Sequence, residues 1–244
     1  MQSLARVARL CLPLAILCAI AAIASGIGYR MGWWSLKWGF DILQWAAYLA
    51  IAATTLAIAS VVIARRGNRG LASAVIALLV GIATFGIPGL MLVKSKQVPA
   101  IHDITTDTGN PPKFVAVLPL RAASNARNSA EYGGPDIAEK QRQAYPAIAP
   151  FESKQSPSDA FTRALDVARA MGLDIVAAVP AEGRIEATDT TLLFGFKDDI
   201  VIRVAPTAQG SRVDVRSESR IGGSDIGKNA SRIAQFLDRM AKSS

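Results

Sequence analysis

Histidine and cysteine are nearly absent from this chain: one histidine, His102, and two cysteines, Cys11 and Cys18. Both cysteines lie in an apolar run near the amino terminus, where a thiol behaves as a small hydrophobe. Everything after that run therefore has no disulfide framework, thiol nucleophile or thiolate metal site. Acid is scarce in one region as well. Residues 1–96 carry nine Lys/Arg and a single acid, Asp41, whereas residues 97–244 carry eighteen of each sign. The formal net charge of +8 thus belongs to the first region. A charge-balanced second region argues against nucleic acid as a partner, because phosphate binding needs excess positive charge on the binding domain.

What fills the first region is apolar sequence, in runs at 10–29, 42–64 and 71–93, none with a charged residue. A bilayer core of about 30 Å needs roughly 20 such residues as helix, so three membrane helices and a lipid-bilayer partner are expected. Uncharged spans offer no marker of an ion path, which disfavours a channel or transporter. Arg6, Arg9, Arg65, Arg66 and Arg69 outweigh Arg30, Lys37, Lys94 and Lys96 on the opposite side. The positive-inside bias then places the amino terminus in the cytoplasm and the region after residue 96 outside it. Trp33, Trp34 and Trp38 suit an outer interfacial belt. A competing reading makes the first run a secretory signal, with Ala22-Ile23-Ala24 as the small-residue cleavage site. Both readings leave the carboxyl-terminal region outside.

Residues 97–155 read as a stalk and irregular entry segment, broken by Pro99, Pro111 and Pro112. A short strand is expected at 114–118, and a short helix from Asp136 through Ala144. The sharper signals begin at Ser156, a helix cap followed by Pro157 at the first helical position. Phe161, Ala164, Leu165, Ala168 and Met171 form a stripe at helical spacing, and Gly172 ends it. Strands are expected at 173–179, 184–188, 191–196, 200–205 and 211–219, with short antiparallel connections. Asp225 or Asn229 then caps a last amphipathic helix with Ile226, Ile233, Phe236, Leu237 and Met240 inward. The order predicts an α+β domain over 156–244, a two-layer sandwich with both helices on one face of the sheet.

Alternation assigns the faces of that sheet. Val213 and Val215 oppose Arg212, Asp214, Arg216 and Glu218; Ile185 and Ala187 oppose Arg184 and Glu186. One face is thus charged with interleaved signs. A solvated face with cross-strand ion pairs is the expectation, and a polar groove in which Arg203, Arg216 and Arg220 hold an anion is its rival. The densest polar run, 216–233, joins the last strand to the last helix. Its Gly222-Gly223-Ser224-Asp225 lacks the glycine spacing of a phosphate loop and reads as a tight turn. Candidate binding residues are Asp199, Arg203, Arg216, Ser217, Arg220, Asp225 and Asn229. Either Arg216 or Arg220 is expected to grip Asp199 or Asp225 bidentately. An enzymatic alternative uses Asp198 or Asp199 as general base, with the arginines as electrophilic clamps. His102 with Asp103 and Asp107 falls short of a metal signature. No catalytic set, metal or cofactor is assigned. The leading reading is a binding module, with an envelope protein as a possible partner.

Several stretches carry a resemblance: 184–187, 193–204, 214–222 and 224–229, including Phe194-Gly195-Phe196-Lys197-Asp198-Asp199 and Arg216-Ser217-Glu218-Ser219-Arg220-Ile221-Gly222. In order and spacing they resemble the bacterial domain-of-unknown-function family 1499, over residues of about 101–241. That family has plant-plastid relatives as well. Many of its members carry an early segment with two cysteines. Here Asp103-Ile104-Thr105-Thr106-Asp107 and Asn110-Pro111-Pro112 stand in that region without cysteine. The resemblance implies a membrane-attached domain without an assigned activity and supplies no catalytic residues. With the charge bias, the expected location is a bacterial inner membrane with the carboxyl-terminal domain in the periplasm.

Overall fold

The structure, a computed structural model, describes residues 2–64 and 70–242. The arginine-rich connection at Arg65, Arg66 and Arg69 lies outside the described residues. The chain divides into two units, 1–94 with Leu192–Gly195 and 95–191 with 196–244.

The first unit is built on three long helices, α1 (Gln2–Arg30), α2 (Leu36–Ala64) and α3 (Leu71–Ser95). Each has a stretch long and apolar enough to cross a membrane, at Leu10–Arg30, Leu36–Val62 and Leu71–Ser95. Large side chains such as Leu17, Trp45 and Leu79 point outward, while Cys11, Ala15, Ala53, Ala57 and Ala77 meet inside. Small residues at the seam let helix backbones approach in a medium without a hydrophobic driving force. The second helix starts six residues before the apolar run, where Leu36 and Phe40 stand one turn apart and Lys37 pairs with Asp41 from i to i+4.

Residues 191–196, expected as a strand, form none. Leu192–Gly195 is a turn that belongs to the helical unit. There Phe194 stacks on Phe40 with ring centroids 5.3 Å apart, and Arg30 donates to the Leu192 carbonyl at 2.8 Å. Gly195 supplies the left-handed backbone, φ +66°, that the turn needs.

The second unit is a six-stranded antiparallel sheet with helices, so the α+β architecture predicted from sequence is what the chain forms. Its strands are β1 (Asp103–Thr105), β2 (Phe151–Ser153), β3 (Asp174–Val179), β4 (Arg184–Thr190), β5 (Lys197–Thr207) and β6 (Gly210–Ser219). The order is β1-β6-β5-β4-β3, and β2 also pairs with β6. The two short strands share one edge of β6: β1 lies along 216–218 and β2 along 211–213. The segment 97–155 is thus woven into the sheet rather than standing apart from it. Periodicity could not reveal three-residue strands, which are too short to alternate.

Helices α6 (Pro157–Ala170) and α7 (Lys228–Lys242) pack on one face. Ala160, Phe161, Ala164 and Ala168 from the first, with Ile233, Phe236 and Met240 from the second, close over Ile185, Ile200, Ile202, Val213 and Val215. Ser156 caps α6 as its sequence requires, accepting from the Asp159 N–H at 3.2 Å. The other face is covered by residues 106–133, which include the short α4 (Leu118–Ala123); α5 (Gly134–Ala144) follows. That cover overturns the solvated charged face. The expected strand at 114–118 is instead an irregular approach to α4.

Candidate functional site

The covered face is polar because β4, β5 and β6 each place alternate charged residues there, in registers that bring together like as well as opposite signs. Asp199 stands opposite Glu218, Arg203 opposite Asp214, and Thr188 opposite Asp199. Like charges at Asp199 and Glu218 would repel. Arg121, delivered by α4, sits between them, at 2.8 Å from Asp199 Oδ2 and 3.0 Å from Glu218 Oε1.

Arg220 completes the grip on Asp199. Its Nε and Nη2 donate to Oδ2 and Oδ1 at 2.8 and 2.7 Å, the bidentate pair expected from sequence. Arg216 makes the same side-on fork with a different acid, Asp103 of β1, at 2.9 and 2.8 Å. Its guanidinium also lies over the Phe114 ring, 4.8 Å from the centroid. Among the described residues Asp225 pairs with no arginine. It accepts the backbone N–H groups of Gly227 and Asn229 at 2.8 and 2.7 Å, capping the entry to α7. These bonds hold Ile226 at φ +55°, a left-handed conformation that a β-branched residue seldom adopts. It therefore precedes the helix rather than lining its inward stripe.

Ser217 and Asn229 lie on the helix-packed face and form a second network. Ser217 Oγ and Asn229 Oδ1 are 2.7 Å apart, and Asn229 donates to the His102 carbonyl at 2.9 Å. Arg232 joins them and reaches Asp198 at 2.7 Å and Asp189 at 2.6 Å. Arg203 is the most open of the candidate arginines, its side chain 27 % exposed, bridging Asp107 at 3.0 Å and Asp214 at 2.8 Å. Asp198 and Asp199, adjacent in sequence, thus point to opposite faces and serve separate networks.

Burial tunes the acids. Glu218 is fully enclosed, and desolvation with the neighbouring Asp103 charge pushes its carboxyl up to about 8, against the pull of Arg121 and Arg216. Its Oε2 accepts no hydrogen bond among the described residues. Asp103 is also raised by burial, with Arg216 opposing. Asp107, nearer solvent, ends below the usual carboxylate range: the Asn110 and Gly109 N–H groups and Arg212 outweigh its partial burial. Asp225 is raised by burial despite its backbone bonds.

Sequence reasoning had not singled out Glu186, Arg121 or Arg232. The Glu186 carboxylate accepts the N–H groups of Val115, Ala116 and Val117 at 3.1, 2.9 and 3.0 Å, so a strand residue caps α4 across the fold. Arg232 had a readable signal. It follows Asn229 by three and precedes Phe236 by four, on the inward stripe of α7. Arg121, in an aperiodic stretch, had none. Three or more metal-ligating side chains nowhere converge among the described residues.

One family model, described as protein of unknown function (DUF1499), matches residues 103–240, the whole of the sheet, both networks and most of α7. No curated protein and no solved structure matches the chain.

Proposed function

We propose, for a chain that belongs to the DUF1499 family, a membrane-attached module acting by binding rather than turnover. Its sheet domain faces the extracytoplasmic side of a bacterial inner membrane, and its partner is an envelope component. One observation carries the preference for binding. Asp199, the strongest candidate for a general base, is fully enclosed, and both its oxygens are engaged by Arg121, Arg220 and Thr188. A base must reach a substrate proton, and this one is held by two guanidinium groups. In this reading Asp199, Arg216, Ser217, Arg220, Asp225 and Asn229 keep the binding domain rigid, and Arg203 is the candidate residue with an accessible head. The excess of Lys/Arg before the first span and in the second connection supports the orientation.

Two measurements test it. Lys154 is exposed; a Lys154→Cys variant with Cys11 and Cys18 replaced by alanine reports the domain's side of the membrane. Labelling by an impermeant maleimide in cells with only the outer membrane opened is expected. Labelling that requires lysis of the inner membrane refutes the orientation. Turnover of an envelope metabolite by the full chain, lost in a folded Asp199→Asn variant, would refute the binding reading.

A further inference from the structure

Hairpin turns join β3 to β4, β4 to β5 and β5 to β6, and the middle one differs from the others. The β3–β4 turn, Pro180-Ala181-Glu182-Gly183, and the β5–β6 turn, Ala208-Gln209, carry no large apolar side chain. Between β4 and β5 the chain reads Thr190-Thr191-Leu192-Leu193-Phe194-Gly195-Phe196, without a charge. Its neck is closed. The Thr191 N–H donates to the Phe196 carbonyl and the Phe196 N–H to Thr191 Oγ1, each at 2.8 Å. At the tip, Leu192 is 88 % exposed, more than any other large apolar side chain among the described residues. A leucine so placed in water would be an unexplained cost.

The rest of the tip belongs to the helical unit. A Cβ at Gly26 of α1 would meet Leu193 Cγ at 2.5 Å, and one at Gly39 of α2 would meet the Phe194 ring at 3.3 Å. Two glycines, one on each helix, thus make room for the tip. Gly26 lies four residues before Arg30, where the apolar stretch of α1 ends, and Gly39 three residues after Leu36, where that of α2 begins. At about 1.5 Å of rise per residue, the tip reaches roughly one helical turn inside both ends. Irregular backbone at that depth needs its polar groups satisfied, and the Leu192 carbonyl accepts from Arg30 Nη1 at 2.8 Å. Arg30 runs its aliphatic stem past Gly195, whose Cβ would stand 2.9 Å from Arg30 Cγ. Its charged head then marks the level at which a snorkelling cation meets headgroups.

We infer that the β4–β5 tip is a lipid-binding element: Leu193 and Phe194 lock the turn onto α1 and α2, and Leu192 enters the boundary between headgroups and acyl chains. The partner is the bilayer itself. Met31, Trp33 and Trp38, at the same end of the two helices, are exposed as well, so the leucine extends a surface that already suits lipid. A stable protein partner would need about 1,000 Å² of contact, far more than one leucine offers. The inference rests on reading the helices as membrane spans. It adds a membrane contact from a turn between two strands, a segment too short for hydropathy to mark.

The test puts a single thiol at the tip, Leu192→Cys, in the full chain with Cys11 and Cys18 replaced by alanine. The thiol is labelled with bimane and the protein placed in phosphatidylcholine nanodiscs. Two quenchers are compared, aqueous iodide and a lipid spin-labelled high on its acyl chain. Leu49→Cys, exposed near the middle of α2, and Lys154→Cys, exposed on the sheet unit, serve as references. Spin-labelled lipid is expected to quench the Leu192 position several-fold more than the Lys154 position, and iodide several-fold less. Equal iodide quenching at Leu192 and Lys154 overturns the inference. So does a Leu192 label sheltered from iodide yet untouched by the lipid quencher, which would mean a covering protein such as a second copy. Leu49 separates this failure from that of the membrane reading. Quenching there by a lipid spin-labelled at mid-chain, with Leu192 in water, removes the tip and leaves the spans; no quenching at either position removes both. Should the cysteine-free chain not fold, the same label in a chain that keeps Cys11 and Cys18, both buried, carries the result against its unmutated parent.

Discussion

The two faces of the sheet are both closed to water, by opposite means. On the α6–α7 face, Ile185, Ile200, Ile202, Val213 and Val215 meet helix side chains through area alone. Such burial contributes about 25 cal/mol per Å² and is indifferent to the angle at which a helix arrives. On the other face, Arg121, Arg216 and Arg220 meet Asp103, Asp199 and Glu218 atom by atom. Buried pairs of this kind return little net stability against apolar residues of equal volume, but breaking one is expensive. The apolar face therefore supplies most of the free energy, while the polar face dictates where residues 106–133 lie. A lid without periodic secondary structure has no amphipathic stripe to position it, so fixed charge partners do so instead.

That division breaks most visibly at Asp199. Asp199→Ala leaves Arg121 and Arg220 enclosed without their shared carboxylate, and a loss of about 3–5 kcal/mol is expected. Urea unfolding of the full chain in micelles, followed by proteolysis of the sheet domain, measures it. A loss below 1 kcal/mol would mean that water already reaches the network. On the apolar face Ile202→Ala should cost about 2–5 kcal/mol through transfer and cavity terms. The two variants differ in kind as well as size. Hydrogen exchange in 106–133 should accelerate selectively in Asp199→Ala, and across the whole sheet in Ile202→Ala. Uniform acceleration in both would erase the distinction between the faces.

A subtler probe is pH. Glu218 titrates near 8 in the folded chain instead of its ordinary 4.5. Between those values the folded protein keeps a proton that the unfolded chain has released, so stability declines as pH rises through that window. Glu218→Gln holds the neutral shape at every pH, and should flatten the decline while changing stability little at its acidic end. Unfolding midpoints of both proteins from pH 5 to pH 8.5 decide this, and parallel curves would mean that Glu218 is ionised in the fold. The smallest effect is expected at Arg142, which pairs with Glu139 at 2.7 Å on an exposed surface of α5. Arg142→Ala should leave the midpoint unchanged, because solvent screens such a pair. A clear loss there would show that enclosure is not what gives this protein's ion pairs their weight.

The sequence made the apolar face legible, since periods of 3.6 and 2 residues announce α6, α7 and the strands they cover. It announced which residues face the other way too, through Arg216 and Glu218 alternating with Val215. What it could not announce was the cover over them. β1 and β2 are three residues each, and Glu186 reaches the N–H groups of 115–117 across 69 to 71 residues of chain. No local pattern encodes a cap supplied from so far away. The expected strand at 191–196 failed for a related reason. Leu193 packs against Gly26 and Phe194 against Phe40, in the helical unit to which both belong rather than in a sheet core, while Leu192 stays exposed.

The edge that β1 and β2 share on β6 has a consequence for biogenesis. Arg216 and Asp103 are 113 residues apart in the chain. A ribosome emits the amino-terminal end first, at about 5–20 residues per second. The first two strands, the α4 segment and its charged side chains therefore emerge many seconds before β6, the strand with which β1 and β2 pair, exists. For that interval Asp103 and Arg121 are hydrated, unpaired and exposed to proteases. The last strand to be made is the one that lets the earlier ones close. A premature stop anywhere before Arg220 would thus release not a shortened domain but an open one, a natural substrate for proteolysis.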